Sequence, residues 1–136
     1  ALDYAKIRIH KRKWWWFQPR KITMAPDGHL WFHPDSELFC DDFCDRDLGL
    51  QGLFIHELVH VWQHQKGIFL LLRRYPFSSY NYTLKPGWML ERYGIEQQAE
   101  IVRHYFLLKN KAKVPGAPSL EQYEGVLPFG KRVTAK

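Results

Sequence analysis

The sequence is poor in cysteine and has no long apolar run. Only Cys40 and Cys44 occur among 136 residues, so a disulfide framework is excluded, and without a Cys-x-x-Cys pair a cysteine-based zinc site is not expected. The longest apolar stretch, Ile68–Leu72, is far shorter than the roughly 20 residues that cross a bilayer. No apolar region of a secretory signal follows the basic N-terminal residues. We therefore expect no transmembrane segment and no signal peptide, and the redox state of the two thiols stays open.

Apolar and aromatic residues, by contrast, are plentiful. They make up 46% and 16% of the chain, enough for the interior of a single domain over residues 1–136. We expect a long loop at Arg73–Gly87. The tail 113–136 should be largely irregular apart from a short helix near Leu120–Glu124. The net charge of +6 favours acidic partners, but no second nucleic-acid motif accompanies it, so nucleic acid is not expected.

The first third of the chain has the pattern of short strands. Apolar and polar residues alternate over Lys6–His10, the period of a half-buried strand. Arg20–Ala25 and His29–Phe32 flank Pro26-Asp27-Gly28, and Asp-Gly between apolar runs is a hairpin signal. We predict a small antiparallel sheet, and with the helices below an α+β fold.

Two helices should follow the sheet. Asp45 or Asp47 could cap a first helix that runs to about Gln65 and ends at Gly67. A second helix should span about Leu90–Lys109. Both have apolar residues at helical spacing. In the first helix these are Leu50, Leu53, Phe54, Leu58, Val61 and Trp62.

The first helix contains a metal-binding motif, His56-Glu57-Leu58-Val59-His60. Residues four apart on a helix have Cβ atoms about 5–6 Å apart, so both imidazoles can reach one Zn²⁺ at about 2.0–2.1 Å. Glu57 points in another direction and can act as the general base. The alternative is a plain amphipathic helix, but ionisable groups in so apolar a segment need partners.

A catalytic zinc ion usually has a third protein ligand. The metzincin pattern would need glycine and histidine where Gln63 and Lys66 stand, so that subclass is excluded. Glu96 and Glu100 lie four apart on the second helix and can both face the first. One would bind the metal, and the other would accept a hydrogen bond from a ligating histidine. Spacing alone permits either assignment.

The segments Phe54-Ile55-His56-Glu57-Leu58-Val59-His60-Val61-Trp62-Gln63 and Gly94-Ile95-Glu96-Gln97-Gln98-Ala99-Glu100 resemble a known family. They are similar to the zinc metallopeptidase effector domains appended to VgrG spike and Rhs proteins of type VI secretion systems. The similarity covers the catalytic core, about residues 20–110. The resemblance implies a zincin-like, gluzincin-type fold in which the sheet packs on both ligand-bearing helices. It also implies that Glu96 is the third ligand and Glu100 its supporting acid.

The same resemblance implies a biological setting. The domain would be an antibacterial toxin that acts in the periplasm of a rival cell. Its partners would be a peptide or protein substrate, a parent spike or Rhs protein and a cognate immunity protein.

One further donor is needed to stabilise the oxyanion of a peptide-bond hydrolysis. The candidates are Tyr80, Tyr82, Tyr93 and His104, and the sequence does not choose among them. The basic and aromatic segment Lys11–Phe17 could contact nucleic acid or a membrane. We expect it to pack in the core or against another domain.

Two other functions remain open at this level. A cell-wall amidase would use the same metal and base on a peptidoglycan amide. A non-catalytic module would bind through its basic-aromatic segment, with zinc structural or absent. A structural zinc site would need a fourth protein ligand, and the sequence offers no obvious one.

Overall fold

The structure is a computed structural model that describes residues 2–68 and 79–129. Within these ranges lie three α-helices, α1 (Leu48–Gln65), α2 (Ile95–Lys109) and α3 (Leu120–Val126). Two short strands, β1 (Ile9–His10) and β2 (Leu30–Trp31), precede them. Short 3-10 helices lie at Tyr4–Lys6, Phe43–Asp45 and Leu90–Arg92. Most of the apolar run Ile68–Leu72, part of the predicted loop at Arg73–Gly87 and the end of the tail lie outside the described residues.

Helix α1 has the bounds that its sequence predicts. The carboxylate of Asp47 accepts a hydrogen bond of 3.1 Å from the amide of Leu50, so Asp47 is the cap and Asp45 is not. The helix ends at Gln65, and Gly67 follows with a φ of +85°. This left-handed conformation suits glycine and lets the chain leave the helix sharply.

Helix α2 is shorter than predicted. Leu90–Arg92 forms a 3-10 turn, and Tyr93 and Gly94 are extended, so α2 begins only at Ile95. The side chain of Gln97 accepts a hydrogen bond of 3.0 Å from the amide of Gly94 and fixes this start. The interruption lets Leu90 and Tyr93 be buried in the core before the helix begins.

The predicted antiparallel sheet is wrong, because β1 pairs with β2 in parallel, with Ile9 opposite Leu30. The expected hairpin is reduced to one antiparallel bridge between Met24 and Trp31. It cannot extend further, because the amide of Ile22 donates to the carbonyl of Pro19, and its carbonyl accepts from Gln18 Nε2. The opposite edge of β2 pairs with β1, because the amides of Leu30 and Phe32 donate to the carbonyls of Arg8 and His10.

Two hydrophobic clusters lie on either side of α1. The first surrounds Leu30, Phe32 and Val61, and the second surrounds Leu90, Ile101 and Tyr123. Because Tyr123 belongs to α3 and is fully buried, the C-terminal tail contributes to the core. In the apolar set predicted for α1, Leu50 and Val61 are buried, whereas Leu53 is 36% exposed.

The face of α1 that meets α2 is largely polar. These two helices make the most extensive contact in the described chain. At Gly52 a Cβ atom would stand 3.2 Å from the side chain of Leu107, so the helices approach closely there. His56, His60 and Gln63 of α1 and Glu96 and Gln98 of α2 are buried between the helices.

Candidate metal centre

Three side chains converge between α1 and α2. His56 Nε2 and His60 Nε2 lie 3.2 Å apart, and Glu96 Oε2 lies 3.2 Å from the first and 3.1 Å from the second. The three residues are only 5%, 3% and 1% exposed. The helical spacing of the motif and the position of Glu96 in the first turn of the facing helix bring them together.

The ring orientation of His60 is set by Gln63. The amide nitrogen of Gln63 donates to the carbonyl of Ile95 at 2.9 Å and to Gln98 Oε1 at 3.0 Å. Its oxygen therefore faces His60 Nδ1 at 2.9 Å and accepts a hydrogen bond from the ring N–H. With the proton on Nδ1, the neutral ring presents the lone pair of Nε2 to the centre.

Glu100 sets the ring orientation of His56. Its carboxylate lies 2.8 Å from His56 Nδ1, which donates to it and so also directs Nε2 to the centre. Burial alone would lower the pKa of His56, but hydrogen bonds to Glu100 and Glu96 and the nearby charge of Glu57 raise it to about 9. The side chains of Glu100 and Glu96 therefore make this imidazole more basic than a free one.

A hydrogen-bond chain continues from Glu100 away from the centre. Its second oxygen lies 3.2 Å from His104 Nε2, and His104 Nδ1 lies 2.6 Å from the hydroxyl of Tyr82. That hydroxyl is 2.5 Å from the hydroxyl of Tyr123. Arg103 also contacts Glu100 at 3.2 Å. Burial raises the pKa of Glu100, but its hydrogen bonds with His104 and His56 and the charge of Arg103 lower it overall, so the group is a carboxylate.

Glu57 follows His56 on α1 and is not one of the three residues of the candidate metal group. It is half-buried on α1, and its charge contributes to the raised pKa of His56, so the carboxylate lies within electrostatic reach of the centre. The general-base role expected of Glu57 stays a prediction.

The donor set fits a zinc ion. One nitrogen from each histidine and one carboxylate oxygen lie within 4.8 Å of one another, and they are the only group of this kind among residues 2–68 and 79–129. Two imidazoles and one carboxylate are a known catalytic zinc set that leaves one position for water. Glu100 and Gln63 supply the hydrogen bonds that such histidines require.

The structure separates the four candidate oxyanion donors. Tyr80 is half exposed, and its ring centroid lies 6.0 Å from that of His56. Tyr82 and His104 form a hydrogen bond with each other, as part of the hydrogen-bond chain from Glu100. The hydroxyl of Tyr93 accepts from the amide of Lys85, and its ring packs in the core. Of the four candidates, Tyr80 is therefore the one whose ring lies next to His56. It belongs neither to the hydrogen-bond chain from Glu100 nor to the hydrophobic core.

The basic and aromatic segment is not packed in the core. Trp15, Trp16 and Phe17 are 50%, 74% and 57% exposed, so a core position for them was wrong.

The two thiols do not form a disulfide, and burial raises the pKa of Cys40.

Together, the fold and the site define a small α+β domain with a candidate two-histidine, one-glutamate metal centre. No family model matches the chain. It is similar to the effector domain of Pseudomonas aeruginosa VgrG2b, a solved structure, with 36% identity and a TM-score of 0.74. The match covers 92% of this chain and 73% of that one. The chain therefore belongs to the family of the VgrG2b effector domain.

The chain is also similar to part of a much longer spike protein. The chain is 39% identical over 135 residues to the type VI secretion system spike protein VgrG2b of Pseudomonas aeruginosa. The match spans 93% of this chain but only 13% of the spike protein. Among the described helices, none is long and apolar enough to cross a membrane.

Proposed function

We propose that this chain is a zinc metallopeptidase domain that hydrolyses peptide bonds as a secreted effector. The observation that carries the proposal is the convergence of His56 Nε2, His60 Nε2 and Glu96 Oε2, with both imidazoles oriented by a second hydrogen bond. The buried carboxylate of Glu96 needs a positive charge beside it, which either a protonated His56 or a bound cation can supply.

Each residue has a separate task in this proposal. His56, His60 and Glu96 hold the ion, and Glu100 and Gln63 orient the two rings. Zinc, when bound, makes water more acidic and polarises a carbonyl group. The carboxylate of Glu57 takes the proton of the attacking water and passes it to the leaving amine. Tyr80 is the side chain we propose to donate to the developing oxyanion, because it stands beside His56.

The relatives favour delivery by a type VI secretion spike. VgrG2b is named as such a spike protein, and the matched solved chain is named as its effector domain. We infer that this chain acts after secretion, in the periplasm of a target cell, with a parent spike or Rhs protein and an immunity protein as partners.

A structural zinc site is less well supported. Such sites are closed by four protein ligands, whereas the cluster found within the described residues has three. A cell-wall amidase would use the same three ligands on a different amide, so the choice of substrate has to decide between these two hydrolases.

The test begins with the zinc content per chain, followed by digestion of an unfolded protein and of purified sacculi. Glu57→Gln should keep zinc and lose activity by about 10²–10⁴-fold, because the base is gone and the ligands remain. Glu91→Gln is the matched control, since this acid lies on the surface in an ion pair with Lys66. Full activity of Glu57→Gln would contradict its role, and digestion of sacculi alone would favour the amidase.

A further inference from the structure

An apolar groove opens beside the candidate metal centre. It has a volume of about 330 Å³, near the lower end of the roughly 300–1,000 Å³ typical of ligand pockets. Its exposed lining comes from Trp15, Phe17 and Ile22, and its buried lining includes Ala25 and Ile95. The basic and aromatic segment, which the core does not use, thus forms one wall of this groove.

The groove is held in shape by a buried glutamine. Gln18 is 3% exposed, and its amide nitrogen donates to the carbonyls of Ile22 and Trp31, both at 2.8 Å. Its oxygen accepts a hydrogen bond of 2.9 Å from the amide of Trp14. These bonds tie both ends of the aromatic turn to β2, so the aromatic wall is a fixed part of the fold.

The groove shares one lining residue with the metal centre. His60, which contributes Nε2 to the centre, also lines the groove, and Ile95 is the neighbour of Glu96 on α2. A side chain seated in the groove would therefore belong to a residue whose backbone passes the metal ligands. Exposed aromatic residues grouped in this way mark binding surfaces rather than ordinary solvent-facing positions.

We propose that this groove is the specificity subsite for a large apolar or aromatic side chain adjacent to the bond that is cut. The proposal rests on the proposed peptidase function and adds a substrate class to it. Proteins or peptides with phenylalanine, leucine or methionine would fill an apolar pocket of this size. Cell-wall stem peptides, rich in alanine and charged residues, would leave it empty.

A membrane surface is the other partner that exposed tryptophans beside basic residues could contact. The groove favours a peptide, because its lining runs inward from the aromatic rim to a buried histidine of the metal centre. A flat lipid contact would not need a cavity that ends there.

The chain offers a closely matched pair of variants. Ile22 lines the groove and is 46% exposed, and Ile9 lies on β1, outside the groove, and is 45% exposed. Ile22→Glu puts a charge in the groove, and Ile9→Glu puts the same charge on an equally accessible surface. Ile22→Ala gives a milder change, so the inference stays testable if the glutamate variant does not fold.

Two readouts separate this inference from the proposed function. The first is the set of residues flanking the bonds cut in an unfolded protein by the zinc-loaded chain, read by mass spectrometry. The second needs no hydrolysis, since zinc-loaded Glu57→Gln is titrated with two labelled peptides that differ only by phenylalanine or alanine. If the wild-type chain cuts nothing, the proposed function fails, and the groove is still judged by binding.

We expect the phenylalanine peptide to bind at least about tenfold more tightly than the alanine peptide. The difference should disappear when Ile22→Glu is added, shrink with Ile22→Ala and persist with Ile9→Glu. Equal binding of the two peptides, or equal effects of the two glutamate variants, would overturn the proposal. So would a loss of binding to phosphatidylglycerol vesicles in Ile22→Glu without any change in peptide binding, which would assign the groove to a lipid surface.

Discussion

The division of labour between Glu96 and Glu100 leads to a quantitative prediction. Glu100 does not join the three converging atoms but holds His56 Nδ1 at 2.8 Å, and its side chain is 12% exposed. Loss of such a supporting acid typically weakens metal binding by about 10–100-fold, which corresponds to about 1.4–2.8 kcal/mol. Glu100→Gln keeps an acceptor for His56 and loses only the charge, so we expect about a tenfold weaker zinc affinity.

Glu100→Leu removes the acceptor as well as the charge. His56 Nδ1 would then face an apolar side chain, and we expect a loss of about 100-fold. Glu96→Gln alters a ligand itself and should weaken zinc binding more than either change at Glu100. The dissociation constants can be measured by competition with a chromophoric chelator. Glu124→Gln is the control, because Glu124 forms only a surface ion pair with Lys109 at 3.8 Å among the contacts described for it.

The outcomes distinguish two errors in the reasoning. If both changes at Glu100 leave the zinc affinity unchanged, its contact with His56 does not position the ring. If Glu100→Gln weakens binding more than Glu96→Gln, the two acids have the opposite roles. Circular dichroism of each variant identifies any that has lost its fold.

Two further predictions concern protons and the backbone. Because the pKa of His56 is raised to about 9, both ring nitrogens carry a proton at pH 7 when no metal is bound. Zinc binds the neutral ring and should displace the proton on Nε2. Calorimetric titration in buffers of different ionisation enthalpy should detect about one proton released, with affinity rising up to about pH 9; no release would contradict the assignment. Gly28 and Gly67 have φ values of +84° and +85°, but a Cβ would meet His64 at 2.6 Å only at Gly28. Each change to alanine should cost about 1–2 kcal/mol from the backbone, and thermal unfolding should show the larger loss for Gly28→Ala.

Local signals allowed much of the site to be predicted from the sequence. The spacing of His56 and His60, the cap at Asp47 and the exit at Gly67 each depend on a few neighbouring residues, and the structure confirms the bounds of α1. Glu96 and Glu100 were brought into consideration by the same periodicity on α2. Glu96 meets the histidines because of the way α1 and α2, which are far apart in the sequence, pack together. Residue spacing alone could not predict that packing.

The features that were missed depend on contacts between distant segments. Gln63 was read only as a departure from the metzincin pattern, yet it fixes the tautomer of His60. Its position three residues after His60 is the one local hint. Parallel pairing of β1 could not be read from local signals, because its partners Ile9 and Leu30 are far apart in the sequence. The exposure of Trp16 could not be foreseen, because aromatic residues in an unknown fold are expected inside.

The polar face between α1 and α2 explains why hydrophobic periodicity was an incomplete guide to the core. Stability alone would favour apolar side chains at a closely packed helix interface, since buried charges rarely improve on well-packed hydrophobic residues. Here His56, His60 and Glu96 occupy that interface, and the apolar residues of α1 are divided between two clusters on either side. Placing ionisable groups at this buried helix interface therefore lowers the stability of the fold. The hydrogen bonds from Glu100 and Gln63 aim those groups at a common point, which simple burial would not require.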